Sequence, residues 1–525
     1  MTLTRRDLIK MGALVSGAVA LPLERTVTAQ TINSGRIAAS ALPLPFTVPF
    51  AVPPILAPVH STTDTDYFRI VMAPFAAEVL PGLKTVLWGY NSTAPGPTLV
   101  VRQGRRSVVR HVNLLPRVHP TLNYTPYTSV HLHGSPSLPA YDGYASDITN
   151  PMSYKDYIYP NTQPPRTLWY HDHGVHHTTE NVYQGLAAQY HLIGGLERSL
   201  PIPHGEFDVP LIIGDKMFNA DGSLLFNTND DSGLFGDVIL VNGRPWPVMK
   251  VKRRKYRFRI LNASISRSYR WSLDSGDPMI VIATDDGLMP APQPVTSIRH
   301  GMAERYEVVI DFAKYPAGRR VILRNTSPKN NIKYENTNKV MAFDVVNDDF
   351  DPTDNDVPDV LDPENETMNL KADEAVITRP QNLERHHGQW TINGHTWDEV
   401  VASNFTFSIA KPVDHTSEIW ELRNDSGGWF HPVHIHLIDF RILDRNGRPP
   451  FAYELGPKDT AYVGEGETVR VLMRFDGRGR YMTHCHNLVH EDHDMMSQFE
   501  VVDPNVEEVG PLSVAARSLP ETTFF

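Results

Sequence analysis

The sequence predicts an all-β protein built as three tandem Greek-key β-barrels or sandwiches, and three observations predict it. The first is length: 525 residues exceed what one core usually serves and suit about three domains. The second is composition, with 43 prolines and little helical periodicity, which fits short strands joined by turns. The third is a strand pattern that recurs and ends each time in a polar asparagine, at Asn113, Asn262 and Asn424. These asparagines lie 149 and 162 residues apart, in agreement with the length estimate.

In chain order, Thr4-Arg5-Arg6-Asp7-Leu8-Ile9-Lys10 and the apolar run Met11–Leu23 resemble a twin-arginine export signal, with Val27-Thr28-Ala29 as a small-residue cleavage site. Residues 1–29 are therefore expected to be a signal peptide. The chain should be exported by the twin-arginine machinery to the periplasm or the medium. Residues 30–60, rich in Pro and Ala, read as an extended arm. The first domain is expected over 61–205, the second over 206–350, and a linker plus the third over 351–525. Strands are predicted at Val100–Asn113, Asp237–Asn242, Val251–Asn262, Tyr306–Phe312 and Glu418–Asn424. The acidic stretch Asn347–Asn365 reads as a solvated linker before the third domain. A net charge of −11 and the lack of a basic stripe argue against nucleic acid as a partner. No apolar run long enough for a membrane span follows the N-terminus. A single cysteine excludes an intrachain disulfide, so core packing or metal must hold an exported chain together. A monomer is expected.

Histidine carries the chemistry. Among 23 histidines, four His-x-His pairs occur: His131/His133, His171/His173, His434/His436 and His484/His486. In a strand, residues i and i+2 share a face, so each pair presents two imidazoles side by side. Two pairs fall in the first domain and two in the third, so packing these domains together would gather eight imidazoles. Imidazole suits Cu, Zn, Fe and Ni, and the pairs alone do not choose among them. The sequence His484-Cys485-His486 does. Strand alternation turns Cys485 away from the face of its two neighbours. His431 lies upstream, His490 five residues after the cysteine and Met495 ten after it. Two His, one Cys thiolate and a Met form the ligand set of a blue-copper electron-transfer site. Cys485 would then sit on a short covalent path, on the order of 10 Å along the strand, to metals at both flanking histidines.

At these residues the chain resembles the multicopper oxidases, in the branch that contains the bacterial spore-coat laccase, bilirubin oxidase and phenoxazinone synthase. The resemblance runs over most of the chain beyond about residue 60. It rests on Trp88-Gly89-Tyr90-Asn91 with Pro95-Gly96-Pro97-Thr98, Leu168–His173, Ile239–Gly243, His431–His436 and His484–Met496. It implies cupredoxin-like domains and four copper ions: type 1 copper at His431, Cys485, His490 and Met495, and type 2 copper at His131 and His434. The type 3 pair would be held by His133, His171 and His486 on one ion and by His173, His436 and His484 on the other. It also implies electron uptake through His490. Reducing O2 to water needs four protons at a buried cluster, and the family places acids for this at Asp142 and Glu491. The plainer readings are a turn-forming Asp and a solvated Glu.

Aligning the two domains sets Asp172 opposite Cys485, Thr128 opposite His431 and Val182 opposite Met495, so the first domain should lack a mononuclear copper site. His176, His177 and His493 are expected to be loop, solvent-facing or supporting residues. The implied activity is an oxidase of phenols, aromatic amines or tetrapyrroles with O2 as acceptor. A metal-ion oxidase for Cu(I) or Fe(II) would usually carry a Met-rich insertion, whereas the 15 methionines here are dispersed except for Met495-Met496. A structural relative without metals would lack ligands, and none is missing. A zinc hydrolase would leave Cys485 and Met495 unexplained.

Overall fold

The asparagines that end the repeated strands are buried staples. Asn113 Nδ2 donates to the carbonyls of Pro126 and Thr149, and its Oδ1 accepts the Leu115 N–H. Asn262 binds the carbonyls of Arg267 and His300 and accepts from Ser264 N. Asn424 binds those of Trp429 and Gly464 and accepts from Ser426 N. In each unit one amide side chain satisfies the backbone of the loop that leaves the strand, which is why a polar residue closes an apolar pattern.

The computed structural model describes residues 35–226, 232–328, 334–347, 352–506 and 513–523. The twin-arginine motif and its cleavage site lie outside the described residues. Three pairs of sheets follow one another. The first domain has a six-stranded and a four-stranded sheet, the middle one eight and five strands, the third five and four. In every domain the strand that ends in the stapling asparagine pairs in parallel with an earlier strand. Arg106–Asn113 pairs with Thr65–Ala77, Lys255–Asn262 with Asp208–Phe218, and Thr416–Asn424 with Ala375–His386. A parallel pair within mostly antiparallel sheets requires a crossover, the Greek-key signature. Apolar residues from both sheets of the first domain, among them Ile70, Met72, Val109, Leu99, Leu132 and Leu168, form one core.

Two predicted strands are each two. Val100–Asn113 divides into Leu99–Arg102 and Arg106–Asn113, which lie in opposite sheets. Val251–Asn262 divides likewise into Val248–Val251 and Lys255–Asn262. Alternation continues through both turns, so the pattern hides them; Gly104, at φ +77°, makes the first turn possible.

The arm crosses the middle domain, where Ile37 N bonds Phe218 O and Phe46 N bonds Trp246 O, and reaches the first domain where Leu56 N bonds Thr98 O. The described part of the acidic linker has no strand. It is nevertheless pinned, with Arg254 Nη2 donating to the Thr353 and Asp354 carbonyls and Leu361 buried. The C-terminal segment returns to the first domain, where Arg517–Ser518 pairs with Ser153–Tyr154 and Arg69 binds Glu521. Among the described residues no helix is long and apolar enough to cross a membrane.

Candidate metal centre

The four His-x-His pairs sit on neighbouring antiparallel strands. His131 is opposite His171 in the pairing of Val130–His133 with Arg166–Asp172, and His434 is opposite His484 in that of His431–Ile435 with Gly479–Cys485. The first and third domains then meet ring to ring. His131 stacks on His436 with centroids 4.0 Å apart, and His133 on His434 at 3.7 Å. All eight imidazoles are buried.

Among the described residues, three of the groups in which their donor atoms converge are His131, His133 and His434; His133, His171 and His486; and His173, His436 and His484. In the last, His484 Nε2 lies 3.2 Å from the Nε2 of both His173 and His436. Three facing nitrogens cannot satisfy one another by hydrogen bonds alone. The Nε2 atoms of His131, His171 and His434, Nδ1 of His133 and both nitrogens of His486 are buried without a hydrogen-bond partner. Such orphaned lone pairs fit metal ions. Burial and mutual repulsion push the pKa values of His133, His171, His434, His436 and His486 well below the ordinary value, which keeps these rings in the neutral, ligating form.

The outward nitrogens are held. His131 Nδ1–H donates to the Asp142 carbonyl (2.6 Å), His171 to that of Asp172 (2.7 Å) and His434 to that of Asp459 (2.9 Å). Both predicted acids belong to this layer. Asp142 Oδ2 is 2.8 Å from His436 Nδ1, and its Oδ1 is 3.4 Å from His131 Nδ1. Glu491 Oε2 is 3.0 Å from His484 Nδ1, and Oε1 is 3.6 Å from His173 Nδ1. Burial raises the pKa of Asp142; burial opposes ionisation of Glu491 too, but His484 and His173 outweigh it and lower its pKa. Asp142 is also the turn residue that its sequence suggests. Gly143 follows at φ +70°, where a Cβ would meet the backbone of Val130 and His131 at 2.5 Å.

Cys485 points to the opposite side of its strand, into the core of the third domain. Its Sγ lies 3.3 Å from His431 Nδ1 and 3.7 Å from His490 Nδ1, and these three form a fourth group. Met495 is buried in the same core, and its backbone binds both Cys485 N and His490 O. Burial, with the nearby Glu491 charge adding to it, raises the thiol pKa, so a thiolate here requires a cation beside it. His431 Nε2 is held by Ser426 Oγ at 2.7 Å, and His490 Nε2–H donates to Ser232 O of the middle domain at 2.9 Å. His490, expected to face the donor, is covered: Trp390 stacks on it at 3.8 Å, Trp429 stands edge-on at 5.6 Å, and it has no exposed surface.

The first domain lacks this arrangement. Asp172 instead closes its loop, accepting from Ser129 N, Gly174 N and Asn181 Nδ2, and burial raises its pKa to about 7. His177 stacks on Tyr124, His176 is exposed, and His493 Nδ1–H donates to Val489 O. Sequence reasoning missed Ser232, Ser426, Asp459 and Trp390, and also Trp169, which stacks on His171 at 4.0 Å. The first four reach their histidines from other strands or loops, whereas Trp169 shares the strand of His171, two residues before it, and only its aromatic character kept it from reading as a ligand.

Three multicopper oxidase family patterns match residues 74–192, 204–347 and 354–505. The bilirubin oxidase of Albifimbria verrucaria is 41% identical over 479 residues, covering 86% of this chain and 81% of its own. A laccase of Bacillus subtilis (strain 168) is 32% identical over 510 residues, covering 86% and 98%. Among solved structures, a multi-copper oxidase from Pediococcus acidilactici superposes with a TM-score of 0.78 at 28% identity, covering 89% of this chain and 94% of its own.

Proposed function

The chain belongs to the multicopper oxidase family, copper oxidoreductases that use O2, and on that premise we propose an exported enzyme of laccase or bilirubin oxidase type carrying four copper ions. Type 1 copper is assigned to His431, Cys485, His490 and Met495, and type 2 to His131 and His434. The type 3 pair is assigned to His133, His171 and His486 on one side and to His173, His436 and His484 on the other. The observation that carries the reading is that three donor groups meet at one tripeptide: Cys485 serves the group in the third domain while His484 and His486 each serve one between domains.

Bound copper supplies one-electron acceptance from the donor and four-electron delivery to O2, which with four protons yields two waters. The protein supplies the rest. The backbone of His484-Cys485-His486 is the covalent path between the groups. Trp390 and Trp429 keep water from His490, so donor electrons cross an aromatic wall rather than an exposed ring. Glu491 and Asp142, each touching two cluster histidines, hold and pass protons. The relatives named for bilirubin and as laccases support organic donors: phenols, aromatic amines or tetrapyrroles. Steady-state rates on a phenol, bilirubin, Cu(I) and Fe(II), compared on one preparation, test this. Specificity constants for the metal ions that exceed those for every organic donor would reject it.

A further inference from the structure

One cluster histidine is turned the other way round. His131, His171 and His434 present an unpartnered Nε2 inward and donate from Nδ1, and His436 and His484 likewise meet carboxylates through Nδ1. His133 does the reverse. Its Nδ1 is the unpartnered inward atom, and its Nε2 lies 3.0 Å from Asp459 Oδ1 and 3.2 Å from Thr460 Oγ1.

The reason lies in the middle domain, which contributes none of the proposed copper ligands. Arg305, fully buried, donates to Asp459 through Nη1 (2.8 Å) and Nη2 (2.6 Å), while its Nε donates to Thr167 O of the first domain (2.9 Å). One guanidinium therefore joins all three domains. The exchange is reciprocal: Lys458, the neighbour of Asp459, reaches into the middle domain to Asp285 (2.8 Å) and Glu304 (3.0 Å). Buried ion pairs add little net stability over apolar packing, but they fix geometry. A carboxylate clamped through both oxygens offers His133 only lone pairs, so the imidazole must carry its proton on Nε2 and leave Nδ1 free for a metal.

We propose that Arg305 and Asp459 are positioning residues that set the tautomer and orientation of His133, and that fixing this ligand is a task of the middle domain. The proposal rests on the assignment of His133 to the type 3 pair. The test is Asp459→Asn, nearly isosteric with the native residue. Arg305 would take the single amide oxygen, leaving Nδ2–H to face His133 Nε2 and favour the wrong tautomer. Copper-loaded protein is challenged with a graded chelator; copper per chain, the type 2 electron paramagnetic resonance signal and the blue band are followed together. Expected is a loss of cluster copper affinity of about 10–100-fold, the range for losing a supporting carboxylate, with the blue band and its anaerobic reduction unchanged. Adding Arg305→Met frees the amide oxygen to accept from His133 and should restore much of the affinity, a rescue that general loosening would not give. Full retention of cluster copper in Asp459→Asn overturns the proposal, as does a folded double variant no better than the single one. Native protein that never binds cluster copper would instead reject the ligand assignment itself.

Discussion

Replacing Glu491 by Gln should separate oxygen chemistry from electron uptake. The side chain is buried, with one oxygen 3.0 Å from His484 Nδ1 and the other 3.6 Å from His173 Nδ1. Glutamine fills the same volume and can still accept from one imidazole, but it cannot carry a proton. Exchanging a charged acceptor for a neutral one costs about 1 kcal/mol in hydrogen bonding, judged from about 1.5–3 against 0.5–1.5. In domains of this size that lowers Tm by only about 2–4 °C. Losing a positioned acid–base group typically costs about 10²–10⁴ in rate, or about 3–5.5 kcal/mol in the barrier. Turnover should therefore fall by about 10²-fold or more while the fold, copper content and blue colour persist. Anaerobic stopped-flow reduction of the blue band should match the native rate, and aerobic reoxidation should be slow. Glu491→Asp, which keeps an acid, should recover part of the rate, whereas Glu491→Leu should be as slow as the glutamine variant. Slowed anaerobic reduction with intact reoxidation in Glu491→Gln would place the residue on the donor side and exclude a part in proton delivery.

Met495→Leu removes a weak axial donor and destabilises Cu(II) more than Cu(I), so redox titration of the blue band should show a higher potential; an unchanged or lower one contradicts the axial role. Trp390→Ala opens a cavity against His490 and should cost about 3–5 kcal/mol in thermal or denaturant unfolding, with Trp390→Phe restoring most of it; near-native stability of the alanine variant would mean that the stack bears no load. Replacing Arg5 and Arg6 by Lys should retain the protein in the cytoplasm, which cell fractionation reads directly; normal export of the double-Lys variant rejects a twin-arginine route.

The sequence showed most clearly what repeats locally. His-x-His on a strand puts two rings on one face whatever the tertiary context, and Cys485 must then point the other way; both hold in the structure. The number of domains was legible through Asn113, Asn262 and Asn424, although the reason, a buried amide stapling each loop, needed coordinates. What alternation could not reveal was where a strand breaks while its pattern continues, as at Gly104, or which partner a buried charge finds. Asp459 follows a lysine in a loop with no motif, and only packing brings it to His133 from one side and Arg305 from the other. The cover over His490 was equally hidden, because Trp390 and Ser232 lie far from it in the chain.

Three donor groups meet at the tripeptide 484–486 and are proposed to hold copper of different kinds. Copper per chain and the intense visible thiolate-to-copper absorption, measured together on native protein and Cys485→Ser, decide whether this arrangement holds. Native protein should hold four copper ions and be blue, and Cys485→Ser should be bleached, having lost one copper and kept three. A blue Cys485→Ser variant, or one that loses all of its copper while remaining folded, would contradict it.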